Sequence, residues 1–498
     1  MSVMPETAGR ARPRLKNNAA PVQIHLDGHY SSKVYTSGSA VSGHVVVETM
    51  RETPFDSFEI CFTGTVATRL DFVQSYTTNS VRTFMKLRMP LSDSQFPSSR
   101  VFQPGNSYKI PFHFIVPHQL TIGACNHGGE TPDLVKDQHL RLPPTMGYWS
   151  ADDQAPDMTH IEYAIKARAI RAARPGIPRS VIMEGKSVVK VLPATPEDPP
   201  LGITLKDERY CMSKTKTIRK KLLSTKMGEL KVTSSEPGAI ILSGDGAGAS
   251  STCARVDLEF APAAADQAPP KINSVQGKVI ATTFFGSTPQ DCLPNLGTKD
   301  NYANNGLLTY DSTHNLFNNS RIDQVTWMER ELAMQRRDSG YSTLGTPGEE
   351  PLDSDEDAGY FAPRVGKTKA KKPQGPPIRY NTQLEIPISI PVSNKKIFLP
   401  TFHNCLISRS YILQLTLSVG PSNTTITLSV PLQLGVEQRY EPQGDELPSF
   451  ESALAEAEAQ AADSFWQPRH IHGPSSPPRS DSVLPGYDEI ARRVVPVA

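Results

Sequence analysis

The sequence predicts an all-β protein made of two consecutive antiparallel β-sandwiches, and three observations lead there. Apolar and polar residues alternate with period two in run after run. Turn residues punctuate the runs at short intervals. No long stretch carries the 3.6-residue apolar period of an amphipathic helix. With 498 residues the chain holds two or three domains, each large enough to bury a core.

In residues 22–192, Phe58, Ile60, Phe62, Gly64 and Val66 alternate with Glu59, Cys61, Thr63 and Thr65, the pattern of a half-buried antiparallel strand. Ile110, Phe112, Phe114 and Val116 repeat it, as do Ile161, Tyr163, Ile165, Ala167 and Ala169. Between the runs lie Thr36-Ser37-Gly38, Gln103-Pro104-Gly105-Asn106 and Arg174-Pro175-Gly176, all turn formers. The segment from Leu192 to Pro200 is rich in proline and reads as a hinge. Strand character resumes at 239–242, 255–260, 275–285, 383–390, 411–419 and 424–436. The glycine-rich run 244–248 precedes an alternating strand rather than a helix, so it reads as a hairpin loop and not as a phosphate cradle.

The alternation collapses between 286 and 377, where Asn, Thr, Asp and Gly dominate. A short helix is expected at 324–337, then an acidic run at 348–357 and a basic one at 367–372. Beyond 437 the chain is polar and rich in proline, with an Ala/Glu-rich helical stretch at 451–462. The expected organisation is a disordered N-terminus (1–20), a first sandwich (21–194), a hinge (195–200), a second sandwich (201–437) with a disordered insertion (286–377), and a flexible tail (438–498).

Composition removes several classes of function. The 52 basic and 51 acidic residues give a net charge of +1, so no global field favours nucleic acid. No apolar run reaches the length of a membrane span, and the first 18 residues lack the apolar stretch of a secretory signal. The closest cysteines in sequence, Cys253 and Cys292, are 39 residues apart, so neither a zinc ribbon nor a dense disulfide framework is expected, and a cytoplasmic location fits. There is no HExxH, GxSxG or Walker loop, so the sequence predicts no catalytic residue, cofactor or metal. His25, His44 and His113 fall in strands and read as packing or surface residues.

Several strings, in order, resemble the arrestin family, and best of all its fungal-type α-arrestins (arrestin-related trafficking adaptors). Val22 to Asp27, followed by Tyr35-x-x-Gly38-x-x-Val41-x-Gly43-x-Val45, is similar to that family's opening strand and hairpin. Phe58 to Gly64, Gly105 to Pro117, Leu142-Pro143-Pro144-Thr145-Met146-Gly147 and Ile161 to Arg168 resemble later elements of its N-terminal domain. Phe402 to Leu413 and Ile426 to Val436 resemble the closing strands of its C-terminal domain. One departure follows Pro117, where Leu120-Thr121-Ile122-Gly123 stands in place of the family's further Leu-Pro.

The tail carries Leu484-Pro485-Gly486-Tyr487, an LPxY variant of the PPxY ligand of WW domains. Proline has already fixed φ in such a ligand, so it enters an aromatic groove at low entropic cost while the tyrosine fills a second pocket. Leu447, Pro448 and Phe450 form a degenerate copy. The resemblance implies a non-enzymatic adaptor that links the cytosolic tail of a membrane transporter or receptor to a WW-domain HECT ubiquitin ligase for endocytosis. It implies recruitment from the cytoplasm to plasma membrane or endosomes, and allows peripheral membrane association. Two other readings share the fold: a signalling scaffold for a membrane receptor, and a retromer-type coat subunit.

Two further features stand out. Nine Lys and Arg residues crowd 206–231; within them Lys214, Lys216, Arg219, Lys220 and Lys221 suit an acidic partner, a phospholipid headgroup or ubiquitin attachment, and equally a strand edge protected by lysines. Ser339 follows Arg336-Arg337-Asp338, a context for basophilic phosphorylation.

Overall fold

The computed structural model describes residues 20–70, 77–125, 131–221, 225–298, 306–320, 325–331, 378–393 and 395–438. Its first ten strands are β1 (Val22–Leu26), β2 (Val34–Tyr35), β3 (Ala40–Glu48), β4 (Thr53–Pro54), β5 (Ser57–Leu70), β6 (Thr78–Arg88), β7 (Val101–Phe102), β8 (Ser107–Ile115), β9 (Thr159–Arg171) and β10 (Ser180–Val191). A helix, α1 (Asp133–Leu140), lies between β8 and β9. They form a three-stranded sheet, β1-β3-β8, and a five-stranded one, β2-β10-β9-β5-β6. All of these pairs are antiparallel except β2 with β10.

The later strands are β11 (Ser213–Arg219), β12 (Lys226–Ser234), β13 (Ile240–Leu242), β14 (Thr252–Pro262), β15 (Ile272–Phe285), β16 (Leu308–Ser320), β17 (Met328–Glu331), β18 (Ile378–Ile388), β19 (Phe402–His403), β20 (Ile407–Val419), β21 (Thr424–Leu432) and β22 (Leu434–Val436). Here the sheets are β11-β12-β14-β18-β17 and β16-β15-β20-β19, with β21 also on β20 and a β13-β22 pair beside them. Among the described residues no sheet mixes strands from before residue 192 with strands from after 212. The fold is all-β with two lobes, as the periodicity predicts. Most buried apolar side chains of both lobes nevertheless belong to one continuous cluster, with Phe284 and Leu307 packed apart from it.

In the first lobe Phe62, Phe84 and Tyr163 pack ring against ring, and the Tyr163 hydroxyl donates to the Pro143 carbonyl at 2.7 Å. The Leu142-to-Gly147 element thereby closes one end of the core. Strand β5 departs from the half-buried expectation, since Glu59, Cys61 and Thr63 are buried as well. Glu59 lies under the side chains of Arg88 (3.3 Å), Lys86 and Arg179, whose long stems cover that face. His25 and His44 stack directly across β1 and β3, with ring centroids 5.2 Å apart, and His113 Nδ1 meets the Ser42 hydroxyl at 2.7 Å.

The insertion expected at 286–377 is corrected over its first part. Residues 308–320 form β16, which pairs antiparallel along β15 from Val275 to Phe285. The helix expected at 324–337 is overturned at 328–331, which form β17 on the edge of β18. Both are edge strands, so the backbone ladder holds them while most of their side chains stay in water. A strand of that kind needs few apolar residues, and β16 shows none of the regular alternation of a core strand. The start of the segment also packs on the first lobe: Thr68 Oγ1 donates to the Gly286 carbonyl at 2.8 Å and Ser80 Oγ to that of Ser287 at 2.7 Å.

Candidate functional site

The basic run does not form one surface. Strand β11 ends its sheet, and its alternation turns Lys214 and Lys216 to the side of buried Ile218. Lys216 Nζ donates to the Thr425 carbonyl at the start of β21, at 2.8 Å. Inward-pointing lysines of this kind block an edge against a further strand. Arg219 lies on the opposite, exposed side, with Lys220 and Lys221 beyond it. That outer face is mixed in sign, because Lys231 pairs with Glu259 across the β12–β14 ladder and Asp257 is two residues away. Arg209 is held elsewhere, its guanidinium over the Phe284 ring at 4.9 Å and bonded to Thr282.

The junction of the lobes brings polar groups together that are far apart in sequence. Arg141, just past α1, grips Asp198 of the expected hinge with two hydrogen bonds of 2.8 Å. Gln433 accepts from the Asp198 amide and donates to its carbonyl, and Thr195 forms a bridge with Val436. The hinge is therefore fastened at both lobes. A cavity of about 290 Å³ opens beside it, lined in part by His118, Gln119, Arg141, Thr401 and His403.

A second polar knot surrounds Arg409 of β20, which is wholly buried. Its Nη2 donates to the carbonyls of Asp153 (3.3 Å) and Gln154 (3.1 Å), in the first lobe. Burial pushes the Asp153 carboxyl up, against the amides of Gly147 (2.6 Å) and Ala155 (3.1 Å), which donate to it, and against the charge of Arg409. His314 of β16 joins the knot through Gln154 Oε1 at 2.8 Å and Lys396 Nζ at 3.1 Å; burial, then the lysine charge, lowers its pKa. The segment expected to loop out thus supplies a residue to the lobe junction.

The third group is Cys125, His139 and Cys405. Cys125 follows a short 3-10 turn, His139 sits on the last turn of α1, and Cys405 follows β19. None of the six cysteines is in a disulfide. Burial, then neighbouring Cys125, pushes the Cys405 thiol up to about 12. Burial, then the charges of His139 and Arg141, lowers nearby His403 to about 4 despite Asp198. The expectation of no metal rested on local spacing, and spacing is blind to residues 266 apart such as His139 and Cys405. The sequence signals that could have pointed here are the departure after Pro117 and the short helix α1, whose Val135, His139 and Leu140 are buried together.

The tail residues Leu447, Pro448, Phe450, Leu484, Pro485 and Tyr487, and Ser339 of the central segment, lie outside the described residues. Among the described residues no helix is long and apolar enough to cross a membrane. No family model matches the chain. It is 26% identical over 190 residues to Bypass of stop codon protein 5 of Saccharomyces cerevisiae, an alignment covering 31% of this chain and 37% of that protein. The chain thus spans little more than a third of that relative's length. At this identity the likeness agrees with an arrestin-like kinship and reaches no finer.

Proposed function

We propose that this chain is a non-enzymatic, arrestin-like adaptor that holds a membrane transporter or receptor tail next to a WW-domain HECT ubiquitin ligase. The observation that carries the reading is the ordered set of arrestin-like strings and the strands on which they fall. The Tyr35-to-Val45 string spans β2 and β3, and the Gly105-to-Pro117 string contains β8, which pairs with β3 over nine residues. The Phe402-to-Leu413 string covers β19 and the start of β20. The relative in Saccharomyces cerevisiae lends further support.

In this reading the body recognises cargo and Leu484, Pro485 and Tyr487 recruit the ligase. Its mechanism is effective concentration: one chain holding enzyme and substrate turns a slow encounter into a local event. The test is a titration of WW domains from a HECT ligase with the intact protein and with Tyr487→Ala. Loss of the aromatic anchor should weaken binding roughly 30-fold. Equal binding by the two proteins, or none below millimolar, would remove the ligase from the account and favour a signalling scaffold on the same body.

A further inference from the structure

Cys125 Sγ lies 3.5 Å from His139 Nδ1, and Cys405 Sγ lies 3.7 Å from the same nitrogen. The three atoms all fall within 4.8 Å of one another. While protonated, the three groups are held together by thiol–imidazole and thiol–thiol hydrogen bonds. With both thiols ionised, the same cluster offers a cation one nitrogen and two sulfur ligands converging on one point. Around tetrahedral zinc, with Zn–S near 2.3 Å and Zn–N near 2.0–2.1 Å, sulfur and nitrogen ligands stand about 3.5 Å apart and two sulfurs about 3.8 Å apart. Both sulfur–nitrogen distances match, and the two sulfurs lie within 4.8 Å of each other.

The backbone around each side chain is fixed. The Leu120 amide donates to the Leu140 carbonyl at 2.8 Å, tying the segment before Cys125 to the end of α1. The Cys405 carbonyl accepts from Gln290 at 3.0 Å, and Asn404 donates to Ile407 at 2.9 Å. Arg82 donates to the Ala124 carbonyl at 3.1 Å, which brings a cation beside a pair of groups that are anionic when they bind metal. Thiolate and imidazole together select zinc among the abundant divalent ions.

We propose that Cys125, His139 and Cys405 bind a zinc ion that clasps the two lobes, with the fourth position left to water. Two ligands come from the first lobe and one from the second. Binding displaces the two thiol protons, and the metal-thiolate unit is neutral overall. The clasp is independent of the adaptor reading, since it concerns the body and not the tail.

The experiment is metal analysis of the full chain purified under reducing conditions without chelator, followed by cobalt substitution. About one zinc per chain is expected, along with the visible bands of tetrahedral cobalt bound to thiolate. Cys405→Ser and Cys125→Ser should each lose most of the metal, and Cys292→Ser, an exposed thiol outside the group, should keep it. A chelator should lower the melting temperature of the wild type and leave that of Cys405→Ser unchanged. Cobalt spectra of the wild type test the site even if a variant fails to fold. Wild-type protein that takes up neither metal would overturn the proposal, as would full zinc content in Cys405→Ser or a Cys125–Cys405 disulfide in peptide maps.

Discussion

The two lobes solve the same packing problem with different material. The first is built from a stretch of chain in which every strand of its two main sheets lies between residues 22 and 191. The second draws its sheets from both sides of a long segment and takes two of its strands from within it. In the first lobe β5 is internal, between β9 and β6, and its side chains are buried on both faces through most of its length. In the second, β16 is an edge strand whose ladder holds it while its side chains remain largely exposed. A strand can therefore be integral to a sheet without an apolar signature, provided its partner supplies one.

The largest expected effect separates the two parts of that central segment. Replacing residues 306–331 with a Gly/Ser linker removes β16 and β17, uncovers the long edge of β15 and takes His314 from the junction. The melting temperature should fall by more than about 10 °C, or the protein should become insoluble. Replacing 332–377 with a four-residue turn should change it by no more than about 2 °C. Glu331 and Ile378 are paired across β17 and β18, so a tight hairpin joins them without strain. Equal tolerance of both replacements, read by thermal melting, would contradict the role given to β16.

A pair of glycines sharpens the comparison. A Cβ at Gly64 of β5 would stand 2.4 Å from the Phe84 ring, and one at Gly277 of β15 would stand 2.5 Å from the Phe317 ring. Phe84 is buried in the first core, whereas Phe317 is half-buried on the edge strand and has room to swing outward. Gly64→Ala should cost about 2–3 kcal/mol and Gly277→Ala about 1 kcal/mol in chemical denaturation. The reverse order would mean that Phe317 of β16 is packed as firmly as Phe84 of β6.

A smaller effect concerns pH. His403 is held neutral in the fold, with a pKa of about 4 against an ordinary 6.5, so the unfolded chain takes up a proton first. Its contribution is fully present above about pH 6.5 and is lost as pH falls toward 4, by roughly 3 kcal/mol at most. Asp153, whose carboxyl is pushed up by burial, acts in the opposite direction as pH falls. His403→Asn should flatten the decline between pH 6.5 and 4, measured by denaturation at several pH values. An unchanged slope would place the responsible group elsewhere.

The strands that build the cores were legible because their neighbours bury one or both faces, which forces Val, Ile, Leu and Phe into period-two positions. Residues 411–419 are read directly and fall within β20, whereas the single strand expected at 424–436 is β21 followed by β22, which leaves the sheet to pair with β13. Strands β16 and β17 were not legible, since an edge position asks for backbone pairing and little else. The helix α1 was missed because it is eight residues long and buries only Val135, His139 and Leu140. At the junction, the pairs Arg141–Asp198 and Arg409–Gln154 join residues 57 and 255 apart in sequence, and the Cys125–His139–Cys405 group also spans both lobes. Proximity of that kind is created by lobe packing and leaves no trace in local spacing. The basic run was legible as composition, but the alternation of β11 sends its lysines and Arg219 to opposite sides.

Hydrogen exchange on the intact protein tests most directly the claim that the second lobe is completed by its own interrupting segment. Amides in peptides covering 308–320 are bonded to β15 in this account and should exchange several orders of magnitude more slowly than an unstructured chain, approaching the protection of 275–285. Exchange of 308–320 at the unprotected rate, while 275–285 stays protected, would contradict it.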